Sequence, residues 1–224
     1  MSRRRLLLPA ILALLVSAAI VILIVAKGGG PVTPVSPVVS VPSAPGGVET
    51  VPTEQGFDGA PLPRPRPAPG FSLTDQYGRR VSLASLRGGP VVLAFLYAHC
   101  GGPCVLIAQQ IRGALDELGE HPAQVAIVSA DPAGDTPAAV RSFLAQVSLS
   151  GRVHWLTGSR SALAAVWKAY DVRPASAGRA AFAKYATVRL LDAQGRERVL
   201  YGTEQLDPEA LAHDIRKLET ARGA

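Results

Sequence analysis

From Pro90 to Tyr97 the chain reads Pro-Val-Val-Leu-Ala-Phe-Leu-Tyr, eight residues with no charge and no alternation of apolar and polar side chains. A strand with one wet face alternates, so this run fits a central strand buried on both faces. The rest of the chain must then supply a layer on each side of a sheet. The run leads into Cys100-Gly101-Gly102-Pro103-Cys104, which contains both cysteines of the sequence. Pro103–Leu118 follows with helical spacing, placing Val105, Ile107, Ala108, Ile111, Leu115 and Leu118 on an apolar side. Pro103 suits the first helical position.

The same alternation of elements continues. Gln124–Ser129 reads as a second buried strand, and Thr136 caps a helix with Pro137 at its first position. Val153–Leu156 is a shorter strand, and Ser159 caps a helix carrying Leu163, Val166 and Trp167. Upstream, Phe71–Leu83 reads as a hairpin turning at Asp75 and Gly78. Downstream, Tyr185–Leu191 and Glu197–Tyr201 form another around Asp192-Ala-Gln-Gly195, and Asp207-Pro208 opens a last helix through Leu218. Trp155, Trp167 and Phe143 read as core. The pattern describes an α/β sandwich of the thioredoxin type with an N-terminal hairpin. In such sheets the working surface lies beyond the carboxyl ends of the parallel strands. The cysteine pair falls at one such end and Asp131-Pro-Ala-Gly-Asp135 at another.

The N-terminal third of the chain is different in kind. Arg3, Arg4 and Arg5 precede an uncharged, almost wholly apolar stretch, Leu6–Ala26, closed by Lys27. At about 1.5 Å per helical residue it spans about 31 Å, a hydrocarbon core's thickness, and it exceeds the usual apolar region of a signal peptide. Residues 1–27 are therefore expected to be a single-pass membrane anchor, with the arginines cytoplasmic and the remainder of the chain extracytoplasmic. Residues 28–70 hold 11 of the 19 prolines and 8 of the 22 glycines and read as a spacer. Residues 71–224 form one domain. The formal charge of +6 divides evenly: six basic and three acidic groups before residue 71, 17 and 14 after it, or +3 each. With its charges interspersed, the domain gives no support to nucleic-acid binding.

Three chemistries are open to a C-x-x-x-C pair at a helix start: a disulfide, a reactive dithiol, or a soft-metal clamp. A helix N-terminus lowers thiol pKa and raises the thiolate fraction. Residues four apart there approach closely enough to bridge, and Gly101 and Gly102 leave the connecting backbone free of side chains. An extracytoplasmic location permits a disulfide. As a staple the bridge is poor, because so short a loop removes little unfolded-state entropy. Structural zinc wants four ligands, and only two thiolates exist.

Gly-Pro-Cys after a first cysteine resembles a thioredoxin active site with one glycine inserted. The wider pattern resembles the Sco/SenC family of membrane-tethered thioredoxin-fold proteins. The matching segments are Phe71-Ser-Leu-Thr-Asp-Gln-x-Gly, Leu86-Arg-Gly, Val91–Tyr97, C-x-x-x-C, Asp131-Pro-x-x-Asp-Thr-Pro137, Trp155-Leu-Thr-Gly158 and Leu191-Asp-x-x-Gly195. They cover roughly residues 70–202 in order. The resemblance implies copper bound through Cys100, Cys104 and one histidine, and maturation of the copper centre of a cytochrome c oxidase. Its implied partner is that oxidase's copper-binding subunit, or another extracytoplasmic thiol protein. Some members are thought to reduce the target's cysteines.

At the family's histidine position, eight residues before Asp192, this chain has Lys184, and Val105 replaces the proline after the second cysteine. A protonated lysine has donors only and cannot ligate copper. Of the four histidines, His99 is the one worth testing as a substitute, although in an extended strand it points away from Cys100. His154 enters at the opposite rim, His121 lies in a loop, and His213 lies on a solvent-facing helix. Lys184 is expected either to favour thiolate and bias the pair toward thiol exchange or two-thiolate Cu(I), or to be a solvated edge residue. Asp131 and Asp135 read as turn and cap residues, with a paired acid/base role as the rival. The enzyme alternative is a general thiol–disulfide oxidoreductase without a physiological metal, Cys100 attacking and Cys104 resolving.

Overall fold

The unbroken apolar run forms β4 (Val91–Leu96), and all six of its residues are buried. These and the following coordinates belong to a computed structural model, which describes residues 56–119, 123–178, 182 and 186–221. The apolar stretch Leu6–Ala26 lies outside the described residues. Among those described, no helix is long and apolar enough to cross a membrane.

Around β4 a six-stranded mixed sheet is built from β1 (Ala60–Pro67), β5 (Gln124–Ser129), β6 (His154–Leu156), β7 (Thr187–Leu191) and β8 (Arg196–Gly202). The spatial order is β1-β8-β7-β4-β5-β6. β4, β5 and β6 run parallel, each pair joined by a helical crossover. On its other side β4 meets β7 antiparallel, then β8 and β1 continue antiparallel. A small separate ladder pairs β2 (Ser72–Thr74) with β3 (Arg80–Ser82).

Successive β4 residues divide between two apolar layers, as a strand's period of two requires. Val92, Ala94 and Leu96 pack with α1 (Gly102–Leu118), α2 (Pro137–Gln146) and α4 (Pro208–Thr220). Val91, Leu93 and Phe95 pack with the β2–β3 hairpin and α3 (Arg160–Ala169). Trp155, Trp167 and Phe143 are core residues, and Phe143 meets Trp155 edge to face at 5.5 Å. The thioredoxin-like α/β architecture follows directly from these layers.

Two turns share one local design, D-x-x-G-R. In the first, Asp75 Oδ1 accepts the amides of Tyr77 and Arg79, while Oδ2 accepts from Arg79 Nε. In the second, Asp192 Oδ1 accepts from Gln194 and Arg196, and Oδ2 from Arg196 Nε. Burial raises the Asp75 pKa, but the Arg79 and Tyr77 hydrogen bonds and the Arg79 charge outweigh it and hold the carboxyl below its ordinary value.

The linker assignment for residues 28–70 needs correction at its end. Ala60–Pro67 is paired with β8, so the folded region starts before residue 71. Composition misled here because proline is excluded from central strands but tolerated on an edge. The entry to β1 is held by Asp214, a fully buried carboxylate on α4 that accepts the amides of Asp58 and Gly59 and the Tyr201 hydroxyl. A side chain at Gly59 would collide with Val199 and Tyr201, at 2.4 and 2.6 Å from its Cβ.

Candidate thiol and copper site

α1 opens at Gly101 as N-cap, with Pro103 in its first turn and Cys104 immediately after. The cap supplies no side-chain hydrogen bond, so the first-turn amides keep their partial positive charge at the cysteines. Cys100 and Cys104 are joined in a disulfide with Cα atoms 5.7 Å apart. Cys104 is fully buried and Cys100 is 5% exposed, while Gly101, Gly102 and Pro103 between them are exposed. Only one of the two glycines is demanded by the backbone. Gly101 has φ 79° and ψ −144°, a region that side chains avoid. Gly102 is an ordinary helical residue with open space around it.

The β5–α2 loop lies beside this one on the carboxyl rim. Thr136 is the N-cap of α2, its hydroxyl accepting from the Ala139 amide. Asp135 is therefore not the cap. It is buried, at 7% exposure. Its Oδ1 accepts the Ala98 amide at 2.7 Å and its Oδ2 accepts the Ser129 hydroxyl at 2.5 Å. Its own amide donates to Asp131 O at 2.9 Å. Burial pushes the Asp135 carboxyl up to about 6; the Ala98 and Ser129 hydrogen bonds offset part of that rise and the nearby Asp131 charge adds to it. With its oxygens committed to an amide and a hydroxyl, Asp135 does not form a paired acid/base site with Asp131. Sequence reasoning missed this residue's task. The one available signal was that Thr136 already satisfies the cap in Asp135-Thr136-Pro137.

Cys100 and His99 diverge: Cys100 is buried and His99 is exposed. The His99 ring leans over the Asp131–Asp135 turn, where a Cβ on Gly134 would lie 3.5 Å from Nδ1 and 2.4 Å from Asp131 Oδ2. Both side chains line a surface depression of about 400 Å³ together with Tyr97, Arg160 and Trp167. Phe182 closes the neighbouring core against Tyr97, edge to face at 5.0 Å. Among the described residues, no histidine or carboxylate joins the two sulfurs as a third donor. The one cluster of three potential ligands among the described residues is Asp58, His213 and Asp214, centred on the tie that fixes the β1 entry. His154 sits at the amino rim, with Nδ1 3.6 Å from Asp75 Oδ2. His121 and Lys184 lie outside the described residues.

The SCO1/SenC family model matches residues 60–220. The chain belongs to the SCO1/SenC family. The bovine mitochondrial SCO2 homolog is 34% identical over 106 residues, which are 46% of this chain and 39% of that protein. The chain spans from about two fifths to about half the length of the curated relatives it matches. Bradyrhizobium japonicum ScoI, solved with copper bound, is 27% identical with a TM-score of 0.52, covering 68% of this chain and 99% of that one. BsSco, described as a Sco-family cytochrome c oxidase assembly protein with a disulfide switch, shares the fold at 22% identity and a TM-score of 0.59, covering 72% and 97%. The Sco match begins at β1, in agreement with the paired edge strand.

Proposed function

We propose that this Sco/SenC chain is a membrane-tethered, extracytoplasmic protein that handles Cu(I) or thiols through Cys100 and Cys104 during assembly of a cytochrome c oxidase copper centre. The observation that carries the reading is the placement of both cysteines at the uncapped start of α1, close enough to bridge. The reduced pair offers two soft thiolates, the donor type that selects Cu(I). Copper here is cargo, and its donors are Cys100 and Cys104; the family's third donor is replaced by Lys184, and His99 is turned to the neighbouring loop. The anchor reading of Leu6–Ala26 supports an extracytoplasmic site, and the oxidase subunit as partner is supported by family membership.

The test is an anaerobic Cu(I) titration of the reduced full chain against a competing chelator, beside Cys100→Ser and His99→Ala. Tight one-to-one binding that disappears in Cys100→Ser supports copper handling, and loss in His99→Ala identifies a third ligand. Weak binding in all three moves the reading to thiol exchange without a metal.

That second reading is favoured by Lys184 at the family's histidine position, since a cation beside thiols promotes thiolate. Cys100 is the less buried of the pair, so its thiolate is the attacking group. It attacks one sulfur of a target disulfide, forming a mixed disulfide and releasing a target thiolate, which takes up a proton. Cys104 thiolate then attacks the Cys100 sulfur, releasing the second target thiol and closing the Cys100–Cys104 bond. Cys104→Ser should trap the mixed disulfide, visible as a reductant-sensitive adduct by mass spectrometry. Lys184→His should restore Cu(II) binding if the lysine accounts for the altered ligand set; unchanged Cu(II) binding would sink that account.

A further inference from the structure

The turn that carries Cys100 is held in an unusual way. α1 has no side-chain cap, and the turn's own backbone contributes Cys100 N–H to Tyr97 O at 3.1 Å. The side-chain tie comes from another loop, the buried Asp135 carboxylate accepting the Ala98 amide two residues before Cys100. Asp135 is itself fixed on three sides: by Ser129, by the Asp131 carbonyl, and by the Thr136-capped helix that follows it. Ser129 is held in turn, its carbonyl accepting from Trp167 Nε1 at 3.0 Å. A rigid loop thus grips a loosely built one. In the oxidised protein the disulfide fixes Cys100 to Cys104 covalently. Reduction breaks that bond, and Cys104 belongs to the first turn of α1, where its side chain is fully buried in the disulfide form.

We propose that Asp135 is the positioning residue of the thiol pair, holding the Tyr97–Cys100 turn so that the Cys100 thiol stays beside Cys104 once the disulfide is reduced. The effect is on the effective concentration of one thiol toward the other. It rests on the reading of Cys100 and Cys104 as a working dithiol–disulfide couple. Asp135 touches neither sulfur's reaction partner; it acts through the backbone of Ala98.

The test equilibrates the full chain with mixtures of reduced and oxidised glutathione. Protein dithiol and one glutathione disulfide become protein disulfide and two glutathione thiols, so two electrons and two protons pass to glutathione. The dithiol fraction is read by maleimide mass tagging. Losing one hydrogen-bond tie should make the disulfide of Asp135→Ala about tenfold easier to reduce. Asp135→Asn keeps a carbonyl oxygen for the Ala98 amide and should stay within about twofold of the parent chain. A purely structural role would lower the unfolding midpoint of Asp135→Ala and leave this equilibrium unchanged, which would overturn the proposal. Amide exchange at Ala98 in the phosphine-reduced parent chain gives an answer even if Asp135→Ala does not fold. Protection is expected, and free exchange would mean the tie is absent from the dithiol form. A parent chain inert toward glutathione, with Ala98 still protected, would instead count against the thiol-couple reading and leave the tie intact.

Discussion

The two loops on the carboxyl rim are built to opposite specifications. The β5–α2 loop has a side-chain cap at Thr136, a buried carboxylate at Asp135 and backbone hydrogen bonds closing its turn on Asp131. The β4–α1 loop has a glycine cap without a side-chain bond, an exposed Gly-Gly-Pro stretch and two sulfurs. The first is closed by side-chain and backbone hydrogen bonds of its own. The second keeps its first-turn amides unclaimed, which suits groups that must gain and lose charge. In the proposed reading the chemistry belongs to the loose loop and its positioning to the tight one.

Removing the charge from the tight loop gives the largest expected effect. The folded state holds the Asp135 proton more firmly than the unfolded chain, with the carboxyl moved from 3.8 to about 6. That group therefore adds stability below pH 3.8, loses it as pH rises through about 6, and leaves the native state carrying a buried charge above that. Asp135→Asn should flatten this slope and stabilise the protein at pH 7 by roughly 3 kcal/mol relative to its effect at pH 3.5. Urea unfolding at the two pH values measures it; an identical pH dependence in parent and variant would remove the buried-charge account.

On the loose loop, Gly101→Ala forces a side chain into a positive-φ conformation and should cost about 1–3 kcal/mol. Gly102→Ala should stay within about 0.5 kcal/mol. Thermal unfolding of the oxidised proteins compares the two, and equal losses would mean that Gly101's backbone is not a constraint. Thr136→Ala should cost about 1 kcal/mol by removing the α2 cap, less than the Gly101 change if the loops differ as described. His99→Ala, at an exposed position, should shift stability by less than about 0.5 kcal/mol. A larger loss on denaturant unfolding would show that His99 helps to hold the rim, and would disqualify the variant as a clean probe of copper ligation.

Much of the fold was legible because its signals are local. β4 and β5 announce themselves by unbroken apolar runs, and Thr136, Ser159 and Asp207 each cap the helix that follows. The cysteine pair was legible for the same reason, since spacing at a helix start is a local property. β1 was not, because its strand character comes from pairing with β8, more than a hundred residues away. Asp135 was not, because its partner Ala98 lies 37 residues upstream; a cap already filled by Thr136 frees Asp135 from that role but does not say what it binds instead. Both misses involve long-range partners, whose identity depends on topology.

The prolines of β1 have a further consequence. They occupy positions 61, 63, 65 and 67, every second residue of the strand. Neighbouring residues of a strand turn their backbone groups to opposite sides, and Ala68 donates to Gly195 on the β8 side. The Pro67 nitrogen therefore faces outward, where it has no proton to offer. At the far edge, β6 is three residues long. Among the described strands, one border therefore lacks a donor at Pro67, and the other is too short to template a neighbour. Edge-to-edge pairing of two copies is thus disfavoured at Pro67 and along β6, and the exposed Arg64 and Arg66 of β1 add charge to the same border as Pro67.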